Sequence, residues 1–342
     1  MTNKTPIYQL KDIQHYYGKK QVLDIKAFEI SKGSITGLIG PNGSGKTTLL
    51  KLLAFAQKPT KGQILYHGKQ EFPFSPFIRS KVTLLTQKPY LLKRTIFENI
   101  AYGLKIRKDT TNLDQRIAKA LSYVGLDFEQ FAQRMWHELS GGEAQRVAMA
   151  ARLILKPDIL LLDEPVANVD TKSAKLIRNA SLRARNDWGT TLVIASHDLS
   201  WLFSVTDQQV SIFDGKLFST GIENIIPGPF ERLDNHRLIK KLENKQCIYL
   251  TASSLNSSMA VIQKKKTLLE LTKKSDQPDL NQLWGYIVSM HLEKKHGLIM
   301  VQIAISGLTF ELSLTFDQIS REALFPGKKV IVSFKADDVE WI

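Results

Sequence analysis

Strand-length hydrophobic runs alternate with helical patterns over the first two thirds of the chain. Short apolar runs, each leading into a loop and a helical stretch, lie at residues 34–39, 82–85, 159–162 and 191–195. The 3.6-residue spacing of apolar positions predicts helices at residues 47–56, 113–124, 142–155 and 171–185. Buried strands that alternate with helices are typical of an α/β domain with a mainly parallel sheet.

The pattern changes after residue 225. Pro227-Gly228-Pro229 interrupts it, and a polar stretch with lysine runs extends to residue 281. Four short segments with strand-like alternation then follow, with the sequences WGYIVSMH, LIMVQIAI, LTFELSLTF and KVIVSFKA. We therefore predict three parts: an α/β domain at 1–226, a linker or accessory segment at 227–281, and a small all-β barrel or sandwich at 282–342.

Composition limits the class of protein. The 342 residues include one cysteine, Cys247, so an internal disulfide is excluded and a reducing compartment is expected. No apolar run approaches the roughly 20 residues that span a bilayer, so we expect a soluble chain that could dock on a membrane partner. The net charge of +14 fits nucleic acid, an anionic membrane face or a nucleotide, and does not choose among them.

A glycine-rich loop follows the first apolar run. Its sequence, GPNGSGKTT, matches G-x-x-x-x-G-K-[ST] between a predicted strand and a predicted helix. Backbone N–H groups of such a loop point at phosphate oxygens, a lysine reaches the β- and γ-phosphates, and a hydroxyl ligates Mg²⁺. The candidate nucleotide-binding residues are Gly40, Pro41, Asn42, Gly43, Ser44, Gly45, Lys46, Thr47 and Thr48.

Two acids end the apolar run at 159–162. Asp163 is the candidate Mg²⁺ partner, together with Thr47, and Glu164 is the candidate general base that polarises the attacking water. Acids at the end of a strand are common, so their significance depends on the glycine loop upstream. Together, the loop and the acids predict a nucleoside triphosphatase.

The segment Leu139-Ser140-Gly141-Gly142-Glu143 resembles the signature of ABC ATPases, and the loop and the acidic pair fit the same family. The resemblance covers roughly residues 5–225. It implies a P-loop ATPase domain with a helical signature subdomain, and ATP and Mg²⁺ as cofactors. In this family, Ser140, Gly141 and Gly142 would close over the γ-phosphate held by a second copy, which implies a head-to-tail homodimer.

Further residues match the family in order. Tyr17 resembles the aromatic that stacks on adenine, with Tyr16 as a rival. Gln87 matches the glutamine that approaches Mg²⁺ and the attacking water, and His197 matches the histidine that contacts the γ-phosphate. Asp170 matches the loop that contacts the partner subunit, although the preceding Asn168-Val169 departs from the usual residues. The segment around residues 89–100 would face a membrane partner.

The end of the chain is similar to the oligomer-binding-like accessory domain (TOBE) of importer ATPases, and an unrelated β-module is the alternative. The resemblance implies permease subunits as partners, an extracytoplasmic solute-binding protein as an indirect one, and a peripheral position on the cytoplasmic face of the inner membrane. The residue pattern around positions 89–107 is most similar to that of tungstate- and molybdate-type importer ATPases. Lys264–Lys266 could favour an anion, but such a run is more often a solvated face.

Three alternatives remain open. The cargo could be another solute, such as a sugar, iron, a polyamine or phosphate. A soluble ABC ATPase acting on nucleic acid is supported by the net charge of +14 alone, and no nucleic-acid partner is expected. A binding module without catalysis is disfavoured because Lys46, Glu164 and His197 are all present.

Overall fold

A computed structural model of the chain describes residues 6–167, 169–219, 223–234, 236–252, 259–273, 279–293 and 297–341. The chain divides into two units, Met1–Phe218 and Ser219–Ile342. The first-unit strands are β1 (Pro6–Tyr17), β2 (Lys20–Ser31), β3 (Ile35–Ile39), β4 (Lys61–Tyr66), β5 (Lys69–Gln70), β6 (Val82–Leu85), β7 (Ile159–Asp163), β8 (Thr191–Ala195), β9 (Gln208–Phe213) and β10 (Lys216–Ser219).

The helices of the first unit follow the P-loop and the later strands. They are α1 (Lys46–Leu53), α2 (Pro76–Lys81), α3 (Ile96–Ile106), α4 (Leu113–Tyr123), α5 (Phe128–Phe131), α6 (Gly141–Leu153), α7 (Thr171–Trp188) and α8 (Leu199–Val205), with a 3₁₀ turn at Trp136–Glu138. The four strands and four helices predicted from hydrophobic spacing are all present, with ends shifted by at most three residues. The α/β prediction for this part of the chain is confirmed.

The central sheet has the strand order β10-β9-β3-β8-β7-β6, and its inner strands are parallel. Side chains of β7 alternate between two separate hydrophobic cores: Leu160 and Leu162 enter one, Ile159 and Leu161 the other. Burial on both faces explains why β7 and β8 are continuously apolar in sequence. The sheet therefore brings the carboxyl ends of β3, β7 and β8 to one edge.

A second, antiparallel sheet of order β2-β1-β4-β5 covers one side of this core. Hydrophobic spacing did not predict this sheet. Strand β1 alternates irregularly between buried and exposed positions, and its pairing with β2 contains register shifts, including one between His15 and Tyr16. Such bulges break the strict two-residue period by which strands are recognised.

The second unit is rich in strands, as predicted. Its elements are β11 (Glu223–Pro227), β12 (Glu231–Arg232), β13 (Arg237–Lys241), β14 (Cys247–Thr251), β15 (Met259–Gln263), β16 (Leu268–Glu270), β17 (Leu280–Glu293), β18 (Leu298–Ile305), β19 (Leu308–Leu314), α9 (Phe316–Arg321), β20 (Lys329–Lys335) and β21 (Val339–Trp341), with 3₁₀ turns at Lys264–Lys266 and Ala336–Asp338. The strands form sheets of order β11-β15-β21, β12-β13-β14 and β16-β20-β17-β18-β19.

Two details differ from the sequence analysis. The strand expected to run through Phe316 ends at Leu314, because the Thr315 side chain caps α9 and forms a capping box with Gln318. Lys264 was expected on a solvated face, yet it is only 6% exposed and its ammonium group pairs with the Glu311 carboxylate. A charge run in sequence does not show that one of its members has a buried partner.

Strands β12 to β16 lie within the segment that the sequence analysis treated as a linker or accessory segment. The division at residues 226 and 281 stays a prediction. In the part of the chain that the structure describes, no helix is long and apolar enough to cross a membrane.

Candidate nucleotide-binding site

The glycine loop joins the end of β3 to the start of α1. A Cβ on Gly40 would stand 2.2 Å from the Ile212 carbonyl oxygen, and one on Gly45 would stand 2.8 Å from the Leu23 side chain. Gly45 also has a φ of 110°, which a residue with a side chain rarely adopts. Close packing and backbone conformation therefore both require glycine here, and the loop passes tightly between β2 and β9.

Lys46 arches back across this loop. Its ammonium group donates to the carbonyl oxygens of Gly40 at 2.7 Å and Pro41 at 3.0 Å. Burial lowers the pKa of Lys46, whereas the nearby Glu164 and Asp163 carboxylates oppose that shift. The Lys46 ammonium group is thus fixed by hydrogen bonds and partly desolvated at the N-terminus of α1. This position suits an interaction with phosphate oxygens.

Thr47 and Asp163 are brought together by α1 and β7. The Thr47 hydroxyl donates to Asp163 Oδ2 at 2.9 Å, and burial raises the pKa of Asp163 against the effect of that hydrogen bond. Hydroxyl and carboxylate oxygens suit Mg²⁺, which usually takes one or two protein ligands and fills its remaining positions with water and phosphate. The Thr47 and Asp163 oxygens therefore fit an Mg²⁺ that arrives with a nucleotide. Among the described residues, no cluster of three acids, histidines or cysteines that could hold a metal is found.

Glu164 and His197 face each other across β7 and β8. His197 donates its backbone N–H to Glu164 Oε2 at 3.2 Å, and its Nε2 lies 3.3 Å from Glu164 Oε1 and 3.1 Å from Asn42 Oδ1. Burial is the main cause that raises the pKa of Glu164, and His197 opposes it. A carboxylate with a raised pKa, held beside the glycine loop, can accept a proton from water.

These groups share one cavity of about 240 Å³. Of the residues proposed from sequence, it brings together parts of the loop, both acids, the glutamine and the histidine. Its lining is Val22, Asn42, Gly43, Gly45, Lys46, Thr47, Thr48, Gln87, Asp163, Glu164 and His197. Val22 was missed by the sequence analysis, because nothing in a single apolar residue of a strand indicates that it borders a ligand.

The signature segment does not line this cavity. Ser140 caps α6: its hydroxyl accepts from the Glu143 N–H at 3.3 Å, and the Glu143 carboxylate accepts from the Ser140 N–H at 2.8 Å. That backbone hydrogen bond is the main reason that the pKa of Glu143 is lowered. A Cβ on Gly141 would meet no atom within 4 Å, so the backbone is open on that side.

Asp170 lies beside the signature segment and not in the cavity. Its carboxylate caps α7 by accepting from the Ser173 N–H at 2.9 Å, and hydrogen bonds from Ser173 lower the pKa of Asp170. A Cβ on Gly142 would stand 2.8 Å from Asp170 Oδ2, so α6 and α7 begin next to each other. Of the two departures from the family pattern, Asn168 lies outside the described residues.

Tyr17 also lies outside the cavity lining, at the end of β1. Tyr17 is 47% exposed as a residue, and its hydroxyl donates to Gln57 Oε1 at 2.9 Å. The rival, Tyr16, is half-buried and occupies the opposite side of the strand. The exposed ring of Tyr17 is the better placed of the two to receive a planar ligand.

Comparisons with known proteins identify this class of site. The model of the ABC transporter family matches residues 23–167. The tungstate uptake system ATP-binding protein TupC of Peptoclostridium acidaminophilum is 35% identical over 209 residues, which is 61% of this chain and 95% of that protein. The spermidine/putrescine import ATP-binding protein PotA of Mycoplasma capricolum is 34% identical over 63% of this chain, and the Fe(3+) ions import protein FbpC of Vibrio cholerae is 35% identical over 62%.

Solved structures agree. The ATP-binding cassette MJ0796, in a dimeric post-hydrolysis state bound to ADP and Pi, is 25% identical with a TM-score of 0.56, over 62% of this chain and 98% of that one. The chain belongs to the ABC transporter family, and it is an ATPase that uses ATP and Mg²⁺. It spans 61% of the length of PotA and 60% of that of FbpC.

Proposed function

We propose that the chain is the ATP-hydrolysing, energy-coupling subunit of an ABC importer. The observation that carries the proposal is the single cavity in which Lys46, Thr47, Asp163, Glu164 and His197 meet. Relatives named as uptake or import ATP-binding proteins match 61–63% of the chain. The charge of +14, which fitted nucleic acid as well, then lies mostly on a domain that binds a polyanion.

Within this proposal each group has a distinct task. The loop N–H groups and Lys46 hold the β- and γ-phosphates, and Thr47, Asp163 and Gln87 supply oxygens toward the metal. Bound Mg²⁺ would neutralise the charge that develops on the phosphates. Glu164 accepts the proton of the attacking water, and His197 holds the Glu164 carboxylate through its backbone N–H at 3.2 Å.

The signature and Asp170 need a second copy of the chain to reach a nucleotide. They lie together at the beginnings of α6 and α7 but do not line the cavity of their own chain. The N-terminus of a 13-residue helix attracts anions through its backbone N–H groups and its dipole. In a head-to-tail dimer, this surface would close over the γ-phosphate held by the other copy.

Exposed apolar side chains support a membrane partner. Tyr90 is 75% exposed and Ile106 is 64% exposed, and Leu92 and Tyr102 are exposed between them. Exposed large apolar side chains within one segment of this length are typical of interaction surfaces. We assign the segment from Tyr90 to Ile106 as the docking face for permease subunits, at the cytoplasmic face of the cell membrane.

The test of this face is retention by membranes. A tagged chain should co-purify with membranes that contain its permease, and Tyr90→Glu combined with Ile106→Glu should abolish retention while ATP affinity stays unchanged. Lys108→Glu combined with Lys119→Glu, two exposed lysines on the same subdomain, serves as the charge control. Retention of the Tyr90/Ile106 variant would contradict the assignment of the face. Salt-sensitive binding to RNA or DNA without any permease would favour the nucleic-acid alternative.

For the cargo we propose an oxyanion of the tungstate or molybdate kind. TupC matches over 95% of its length, which supports this choice. Polyamines and ferric iron are the second candidates for the cargo, because PotA and FbpC match at similar identity. Like this chain, both proteins are longer than the part that aligns. Cells whose only copy carries Lys46→Ala should lose tungstate uptake, measured by elemental mass spectrometry, and keep spermidine and ferric iron uptake. Loss of spermidine or iron uptake instead would replace the proposed cargo.

A further inference from the structure

His15 is a buried histidine that packs against Tyr17, the residue that resembles the adenine-stacking aromatic of the family. It lies on β1 two residues before Tyr17, so both side chains point to the same side of the strand. Their ring centroids are 5.0 Å apart and the ring planes are perpendicular. His15 is only 7% exposed, so its imidazole ring is packed inside the first unit.

A hydrogen bond at the Tyr17 hydroxyl also holds this pair of rings in position. Gln57, in the segment after α1, accepts the Tyr17 hydroxyl hydrogen bond at 2.9 Å. The Tyr17 side chain is therefore contacted by the His15 ring and held at its hydroxyl by Gln57. Tyr17 is nonetheless 47% exposed, which leaves it accessible to a ligand.

A strand irregularity connects the pair to the phosphate loop. The pairing of β1 with β2 matches His15 to Leu23 and Tyr16 to Gln21, which leaves Val22 as the extra residue of a bulge. Val22 lines the nucleotide cavity, and its carbonyl oxygen lies 3.0 Å from where a Cβ on Gly45 would stand. The hairpin that carries Tyr17 is thus anchored against the loop that holds the phosphates.

We propose that His15 and Gln57 are positioning residues that hold the Tyr17 ring ready to stack on the base of ATP. This inference rests on the proposed ATP-binding function and on the role that the family resemblance gives to Tyr17. It adds two residues that contact Tyr17 and do not line the nucleotide cavity. Burial lowers the pKa of His15 against an opposing hydrogen bond with the Lys58 backbone, which favours the neutral imidazole. The support that we propose comes from the perpendicular ring contact. Edge-to-face aromatic pairs favour one mutual orientation of the two rings. Because the Tyr17 ring is already ordered, ATP binding costs less conformational entropy.

The experiment compares two probes, ATP and inorganic tripolyphosphate, each with Mg²⁺, by isothermal titration calorimetry. His15→Leu should weaken ATP binding roughly two- to tenfold, which corresponds to the usual strength of an aromatic pair, and should leave tripolyphosphate binding unchanged. The KM for ATP should rise by the same factor while kcat at saturating ATP is kept. His15→Phe, which retains a ring, should bind ATP within about twofold of the unchanged chain.

Two further variants guard against a folding defect. Gln57→Ala, at a half-buried position, should also weaken ATP but not tripolyphosphate, and His236→Leu, an exposed histidine of the second unit, should change neither. Unchanged ATP affinity in both His15→Leu and Gln57→Ala would overturn the inference, as would equal weakening of both probes.

Failure of the inference can be told apart from failure of the proposed function. If Tyr17→Ala binds ATP like the unchanged chain while Lys46→Ala does not, the base platform is wrong and the ATP site stands. If Lys46→Ala binds ATP normally, the nucleotide site itself is wrong, and the inference falls with it.

Discussion

Adjacent residues at one strand end hold different partners. Asp163 accepts from the Thr47 hydroxyl, whereas Glu164 accepts from the His197 backbone N–H. Glu164 has a φ of 47°, a conformation that an ordinary residue adopts only when its surroundings enforce it. The turn separates the two carboxylates, which is consistent with the proposed roles of Asp163 toward a metal and of Glu164 toward water.

The raised pKa of Glu164 predicts the pH dependence of ATP hydrolysis. The base works when unprotonated, so turnover should fall as the pH drops through its pKa. Because burial raises that pKa, the fall should occur above the range of an ordinary glutamate. A profile of kcat against pH checks this. A rate that stays flat down to the ordinary glutamate range would contradict the assignment.

Sequence motifs located most of this site because its members follow strand ends within short, recognisable segments. The loop from Gly40 to Thr48, the acids after β7 and His197 after β8 needed only the rule that parallel strands end at one edge. Val22 and His15 could not be found in this way. Their significance comes from a bulge between β1 and β2 and from packing against residues that are distant in sequence.

At the scale of elements, two helix beginnings are packed against each other. A Cβ on Gly142 would lie 2.8 Å from both Asp170 Oδ2 and Ser173 Oγ, whereas one on Gly141 would meet nothing within 4 Å. Gly141 therefore has room for a side chain, whereas Gly142 does not. This contrast gives a matched pair of variants.

Gly142→Ala should lower the free energy of unfolding by about 1–3 kcal/mol, because the added methyl displaces the α7 cap. Gly141→Ala should not lower it, and better helix propensity could add up to about 1 kcal/mol. Urea unfolding of both variants measures the difference. Equal stability of the two would show that α6 and α7 are not packed as described.

A buried ion pair joins elements of the second unit. Lys264, in the 3₁₀ turn after β15, pairs with Glu311 of β19, and Gln302 of β18 donates to the other Glu311 oxygen at 2.9 Å. Sequence alone could not show this, since Lys264, Lys265 and Lys266 form an undifferentiated run. The tertiary fold selects one of three equivalent lysines for burial.

Removal of that lysine should be costly. Lys264→Met leaves the half-buried Glu311 carboxylate without its cation, and about 2–3 kcal/mol of unfolding free energy should be lost from the second unit, less than for a fully buried pair. Lys265→Met, at the exposed neighbouring position, is the control and should change little. Thermal unfolding followed by circular dichroism checks both variants, and a Lys264→Met chain as stable as the control would refute the role of the pair.

At the scale of the whole molecule, the alternating pattern predicted the parallel core and the strand-rich second unit. It did not predict the antiparallel sheet of β1, β2, β4 and β5 or the strands within residues 227–281. Continuous apolar strands are recognisable because both of their faces are buried, whereas irregular and short strands depend on partners that the local sequence does not reveal.

The proposed dimer explains why part of the ATPase signature lies away from the cavity. One copy would supply the loop, the acids and His197, and the other would supply Ser140, Gly141 and Gly142. ATP would then hold two copies together, and hydrolysis would release them. Such a cycle links chemistry to the movement of a membrane partner.

The most direct measurement is the mass of the Glu164→Gln chain in solution with and without MgATP, by light scattering, alongside its ATP turnover. The substitution keeps the shape of the side chain and removes the base, so the variant should bind ATP, form a stable dimer and hydrolyse ATP at least about a hundredfold more slowly. Turnover close to that of the unchanged chain, or a variant that stays monomeric with saturating MgATP, would contradict the account.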